Sequence, residues 1–126
     1  MTVLDASALL ALIHSEPGHE LVGARIDGAV LGAVNLAEVV GKLVDSGVDV
    51  TRLRELLGAA GVVLAPLTTE DAELAGALRA LDGGRSLSLG DRCALALTIR
   101  MNPPEVLTAD RAWAQLDLPI TVLLIR

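Results

Sequence analysis

Four acidic residues, Asp5, Glu38, Asp91 and Asp110, stand at the edges of apolar elements. Folding that gathers them into one cleft creates a self-repelling cluster, which either keeps protons or recruits a cation. An all-oxygen donor set of high charge selects Mg²⁺ or Mn²⁺ over Zn²⁺. No His/Cys set with zinc spacing competes, because His14 and His19 are separated by Pro17-Gly18 and read as surface residues. A divalent ion resting on a few carboxylates keeps several waters and open positions, so it can grip a phosphate oxygen and acidify a water for in-line attack. Such an ion also lets an acidic protein approach a phosphodiester by inverting the local potential. Arg85, Arg92 and Arg111 flank the acids, either as phosphate contacts or as a solvated rim paired with nearby Asp.

Each acid taken singly has a structural explanation. Asp5, Asp91 and Asp110 all occupy positions where Asp is a favoured helix N-cap. In Asn35-Leu-Ala-Glu38, Glu38 fits a capping box, and Glu38 to Lys42 is a favourable i, i+4 pair. The period of Leu36, Val39, Val40, Leu43 and Val44 puts Glu38 on the opposite, polar face, which favours a structural role. Asp91 shares its i, i+4 row with Leu95 and Ile99 and so faces inward.

The elements that must position these residues alternate. β-prone runs fall at Thr2 to Leu4, Ala29 to Val34, Val62 to Leu64, Val106 to Thr108 and Ile120 to Ile125. Helical periodicity covers Ser7 to His14, Gly18 to Ile26, Leu36 to Ser46, Thr51 to Ala60, Thr69 to Leu81, Asp91 to Met101 and Arg111 to Leu116. This alternation predicts an α/β fold with a parallel sheet covered on both faces, in one domain over residues 1–126. The last apolar run reads as a strand buried on both sides. In open parallel sheets ligands bind beyond the carboxyl ends of the strands. Asp5, after Val3-Leu4, and Asp110, after Val106 to Ala109, fall there. The loop Asp82-Gly83-Gly84-Arg85-Ser86 reads as the most mobile segment and leads to Asp91.

Composition narrows the function classes. Hydrophobic residues make up 52% of the 126 and charged residues 21%, as in a globular protein. Trp113 is the only aromatic residue, so base stacking on aromatic platforms is excluded as a main binding mode. A net charge of −6 has the wrong sign for holding a polyanion by bulk electrostatics. The lone Cys93 predicts a reducing compartment, and the apolar stretch Ala8 to Ile13 is too short for a membrane span, so a cytoplasmic location is expected.

Four stretches, in order, resemble the PIN domain and within it the VapC-type toxins of bacterial toxin–antitoxin pairs. They are Val3-Leu-Asp5-Ala-Ser7-Ala-Leu-Leu-Ala-Leu, Asn35-Leu-Ala-Glu38-Val, Ser88-Leu-Gly-Asp91-Arg-Cys-Ala-Leu-Ala and Leu107-Thr108-Ala-Asp110-Arg-Ala-Trp113. The resemblance implies a three-layer α/β/α fold with a central parallel sheet of about five strands and a site for Mg²⁺ or Mn²⁺. It also implies endoribonuclease activity leaving 5′-phosphate and 3′-hydroxyl ends, restraint by a cognate antitoxin, and a homodimer. Asp5, Asp91 and Asp110 match the family's metal-site aspartates, and Glu38 its acidic helix residue. The resemblance thus assigns Glu38 a role that its helical face does not. Ser7 and Thr108 match polar positions supporting the aspartates, and Asn35 either does the same or caps its helix. Asp117, before Leu118-Pro119, reads as a turn residue and not as the further acid that some relatives carry.

Two other classes compete. A phosphorylatable receiver module also sets acids around Mg²⁺ but needs a Lys near the end of a late strand, and the only Lys is Lys42. A PIN-like scaffold that binds RNA or protein without cleaving it would have to carry its clustered like charges without a cation, which is costly.

Overall fold

The computed structural model of the protein describes residues Met1 to Arg126. Five short strands, β1 (Thr2–Leu4), β2 (Val30–Gly32), β3 (Val63–Ala65), β4 (Glu105–Thr108) and β5 (Thr121–Leu124), form one parallel sheet in the order β3-β2-β1-β4-β5. Val3 lies opposite both Val30 and Val106, and Val30 opposite Val63. Successive residues of a strand point to opposite faces. Val3, Val30 and Val106 accordingly enter one core with Leu78, Leu87, Leu95 and Trp113, while Leu4, Leu31 and Leu107 enter another with Leu9, Val22, Val39 and Leu43.

Two apolar faces require two covering layers. On the leucine face lie α1 (Ala6–Ile13), α2 (His19–Arg25), α3 (Ala33–Asp45) and α4 (Leu53–Ala59), which contribute Leu9, Val22, Val39 and Leu57 to the core. The valine face is covered by α5 (Thr69–Ala77) and α6 (Leu89–Ile99), with 3₁₀ turns at Leu78–Ala80, Gly84–Ser86 and Arg111–Gln115. The fold is the expected three-layer α/β/α arrangement with five parallel strands. No helix is long and apolar enough to cross a membrane.

Helix starts follow local chemistry where the chemistry is present. Ser88 and Thr68 each accept a hydrogen bond from the amide three residues on, at Asp91 and Asp71, whose carboxylates accept the Ser88 and Thr68 amides in return. These reciprocal pairs are capping boxes. They begin α6 at Leu89, two residues ahead of the expected start, and make Asp91 the box acid, not the N-cap. At α3 the cap is Gly32, which offers no side chain. Hence nothing in the local sequence marks the start, and the apolar Ala33-Val34 expected to extend the strand is the first turn of the helix.

Two further expectations are corrected, and the loop at residues 82–86 has a defined course. The run from Ile120 is an edge strand, with Thr121 exposed and Val122 to Leu124 half-buried. Its apolar inner side packs on the valine core through Val122 and on the leucine core through Leu123, while its outer edge has no neighbour. Arg111–Gln115 is a 3₁₀ turn, not an α-helix. The segment after α5 is folded into turns: Gly84 N–H donates to the Leu81 carbonyl at 2.7 Å, and Leu87 N–H to that of Gly84 at 3.2 Å. A Cβ on Gly84 would collide with the Leu78 carbonyl, so only glycine lets the two short turns meet.

Sheet order also sets where a ligand can sit. The chain builds outward from β1 to β2 and β3, then crosses back to add β4 and β5 on the other side of β1. The direction reverses between β1 and β4, and a crevice opens at the carboxyl ends of such a pair. Asp5 and Asp110 follow those two strands.

Candidate active site

Asp5, Glu38, Asp91 and Asp110 line one cleft of about 230 Å³, together with Ser7, Leu10 and Lys42. Asp5 leaves β1 and is buried; Glu38 projects from α3, Asp91 from the first turn of α6, and Asp110 from the end of β4. The reading that put Glu38 on a polar outer face is overturned. The face is polar, but it turns toward α6, not toward solvent.

A hydroxyl relay fixes the β1 and β4 ends of the cleft. Ser7 Oγ and Thr108 Oγ1 both donate to Asp5 Oδ2, at 2.6 and 2.9 Å. Ser7 Oγ in turn accepts from Ala109 N–H and Thr108 Oγ1 from Asp110 N–H, each at 3.0 Å. Because a hydroxyl donates once and accepts through its lone pairs, each one ties Asp5 to the backbone leading into Asp110. The Ser7 and Thr108 hydroxyls thus hold Asp5 and the backbone that leads into Asp110.

Asn35 performs the corresponding task for Glu38. Its Nδ2 donates to Glu38 Oε1 at 2.8 Å and to the Gly90 carbonyl at 3.1 Å, joining α3 to α6 while itself buried. Asn35 lies inside α3 and does not cap it. Gly90 was not anticipated: a Cβ there would land on the Glu38 carboxylate. Its only trace in the sequence is a poor helix former in the first turn of α6.

Asp110 resolves the choice between capping and clustering. Its Oδ1 accepts from Ala112 N–H at 3.0 Å as an N-cap, and its Oδ2 has no hydrogen bond. Asp91 Oδ2 is likewise engaged by the Ser88 amide while Oδ1 has no partner, and Glu38 Oε2 has none. In each of these carboxylates one oxygen is pinned and the other is left without a partner, so a structural role does not use up its capacity to accept.

Burial dominates the electrostatics. It pushes the Asp5 carboxyl from 3.8 up to about 6; the Ser7 and Thr108 hydroxyls oppose the rise, and the neighbouring Asp91 carboxylate adds to it. A desolvated carboxylate beside like charges is the condition that a cation relieves. The donor set fits a hard divalent ion: all oxygens, oriented through their second oxygens. No three acidic, His or Cys side chains converge closely enough to chelate one ion directly. Carboxylates spaced in this way suit an ion that keeps several of its waters and meets some of them through those waters.

The arginines separate. Arg111 is exposed beside Asp110. Arg85 is exposed on the Gly84–Ser86 turn and lines a different groove. Arg92 is corrected: it is buried, and its Nη1 donates to the Ala75 carbonyl of α5 at 2.8 Å, which removes it from any phosphate. Lys42 lines the cleft but makes no ion pair with Glu38, contrary to the i, i+4 expectation.

Sheet order, layers and cleft together define a doubly covered parallel α/β domain with an acidic ligand cleft at its switch point. The chain belongs to the PIN domain family, whose model matches residues 2–118. Among solved structures, a chain of a toxin–antitoxin complex from Klebsiella pneumoniae superposes with a TM-score of 0.73 at 17% identity, covering 100% of this chain and 98% of that one. A chain of VapBC2 from Rickettsia felis, bound to a DNA fragment from its promoter, gives a TM-score of 0.65 at 12% identity, covering 97% of this chain and 96% of that one. At these identities the likeness is one of fold. No protein of curated function matches the chain significantly in sequence.

Proposed function

We propose that the protein, acting as one PIN domain over residues 1–126, is a metal-dependent endoribonuclease and the toxin of a type II toxin–antitoxin pair. The observation that carries this reading is the gathering of Asp5, Glu38, Asp91 and Asp110 into one cleft at the β1/β4 switch point. Asp5, Asp91 and Asp110 would hold Mg²⁺ or Mn²⁺, with Glu38 completing the shell or orienting water. The bound ion supplies Lewis-acid activation of the phosphodiester and of water.

The chain's own groups do the rest. Ser7 and Thr108 hold Asp5 in place through Oδ2. Asn35 keeps Glu38 turned into the cleft through Oε1. Lys42 and Arg111, neither held by a carboxylate, neutralise phosphate oxygens as charge builds in the transition state. With no aromatic platform, RNA is selected by shape and by flexibility of its single-stranded parts. The structural neighbours from toxin–antitoxin assemblies support an antitoxin partner for this chain, with a homodimer as the working assembly and the cytoplasm as its location.

The test is RNA cleavage with Mg²⁺ or Mn²⁺ by the wild type and by Asp5→Asn. The expected loss is roughly 100-fold or more, since removing even a group that merely supports a ligand typically costs 10- to 100-fold. Equal activity in the two proteins refutes the assignment.

A further inference from the structure

Ten side chains carry Lys or Arg charge, against sixteen Asp and Glu. With carboxylates in such excess, pairing is the default for a surface cation. Arg25, Arg52 and Arg100 do pair with Glu105, Glu55 and Asp71, while Arg92 and Arg126 donate to backbone carbonyls. Lys42, Arg54, Arg79, Arg85 and Arg111 make neither an ion pair nor a hydrogen bond. Four of these five are not scattered. Lys42 lines the acidic cleft, Arg111 adjoins Asp110, and Arg79 and Arg85 together line an open groove of about 520 Å³.

That groove is a built feature. Arg79 stands on the Leu78–Ala80 turn and Arg85 on the Gly84–Ser86 turn, and the two turns are locked together where Gly84 meets the Leu78 carbonyl. The chain runs from Arg85 into the Ser88 cap and Asp91 within six residues. Gly83 packs toward Leu116, at the end of the turn that Asp110 begins. The groove is therefore linked to two of the three elements that deliver aspartates to the cleft, the start of α6 and the turn after β4. Its lining also includes Asp82, but Ala80 and Leu81 are its only apolar residues and it holds no aromatic.

We propose that the Arg79/Arg85 groove is a subsite for the sugar-phosphate backbone of a single-stranded RNA whose scissile bond lies in the acidic cleft. This inference rests on the nuclease reading for the identity of the strand. Two guanidiniums carried on backbone turns that are held together, and without carboxylate partners, suit phosphate oxygens, which they can bind in bidentate fashion. The absence of stacking surface makes the contact one to backbone and not to bases. An acidic peptide would need apolar anchors for affinity, and the groove offers almost none.

The test is fluorescence anisotropy of a labelled single-stranded RNA oligonucleotide, titrated at several salt concentrations with Ca²⁺ present to limit turnover. The proteins compared are wild type, R79A/R85A, R79K/R85K and R54A, the last removing an unpaired arginine far along the chain. Two lost phosphate contacts lower the slope of log K against log salt by about 1.4, at roughly 0.7 per contact in a single strand. R54A keeps the wild-type slope, and R79K/R85K keeps most of it. Melting temperatures, expected to be equal, exclude misfolding. In cleavage assays R79A/R85A raises KM for RNA several-fold, whereas R54A leaves it unchanged. A slope unchanged in R79A/R85A overturns the proposal, as does loss of binding to polyglutamate without loss of RNA binding. A slope lost in R79A/R85A when no protein cleaves RNA supports the groove and refutes the nuclease reading alone.

Discussion

Replacing Asp5 by Asn isolates the electrostatic cost at the centre of the cleft. The Asp5 carboxyl titrates at about 6 in the fold, where burial is the main cause of the rise, against roughly 3.9 in an unfolded chain. Below the unfolded value both states are protonated and the residue's stabilising contribution is whole. As pH rises toward 6 the unfolded chain releases a proton that the fold retains, so stability declines, and the loss is complete once the folded group has titrated. About two pKa units at 1.36 kcal/mol each make this loss on the order of 3 kcal/mol. Other carboxylates titrate in the same range, so the quantity to measure is the difference between Asp5→Asn and wild type. Asn keeps an oxygen for the Ser7 and Thr108 hydroxyls and carries no charge. In urea denaturation with EDTA, the variant gains roughly 3 kcal/mol relative to wild type between pH 4 and pH 8. Near neutral pH this corresponds to a melting temperature higher by about 10 °C. Mn²⁺ then raises the wild type more than the variant, because a ligand stabilises only the state that binds it. A difference flat across that pH range refutes the placement of Asp5 as a desolvated carboxylate.

Asn35→Ala leaves Glu38 Oε1 and the Gly90 carbonyl without their donor and is expected to cost about 1–3 kcal/mol in urea denaturation. Gly90→Ala drives a methyl into the Glu38 carboxylate, the far end of a flexible side chain that can swing aside, so the melting temperature is expected to change little while RNA cleavage falls as Glu38 is displaced. Arg100→Ala removes the guanidinium that contacts Asp71 at 2.9 Å; because Arg100 is itself exposed and the Thr68 amide still donates to Asp71, the expected loss is about 1–2 kcal/mol at pH 7. Burial alone would raise the Asp71 pKa, but hydrogen bonds from Arg100 and Thr68 outweigh it and hold the carboxyl below 3.8. Its stabilisation is therefore present above the unfolded value and lost as pH falls through the folded one, and the Arg100→Ala penalty should shrink in acid. Lys42→Ala is expected to leave the melting temperature within about 1 °C, since the exposed ammonium has no partner, while RNA cleavage falls; unchanged cleavage removes Lys42 from the reaction.

Much of this protein is local and was therefore legible. Alternating strands and helices follow from apolar periods of a few residues, and a buried strand such as Val3-Leu4 sends its side chains into both cores as the pleat requires. Asp5 and Asp110 stand at strand ends because the apolar runs before them end there. The Ser88–Asp91 capping box spans only four residues, a local signal that the expected start at Asp91 passed over.

What the sequence could not decide are the meetings between distant segments. A helical period records which face meets apolar neighbours; it is silent on a polar face that meets another helix, and so Glu38 read as outward although Gly90 and Asn35 enclose it. A charge reads as surface, yet Arg92 is buried because α5 brings the Ala75 carbonyl to it. A continuous apolar run reads as buried on both sides, yet β5 closes the sheet at its edge and is only half-buried. By itself the sequence determined the layers and the placement of carboxylates at strand ends, both set by interactions a few residues long. Only the tertiary structure decided which carboxylates share a cleft, which hydroxyls and amides pin them, and which arginines remain without partners, because each depends on segments that the parallel crossovers bring together from 50 to 100 positions apart.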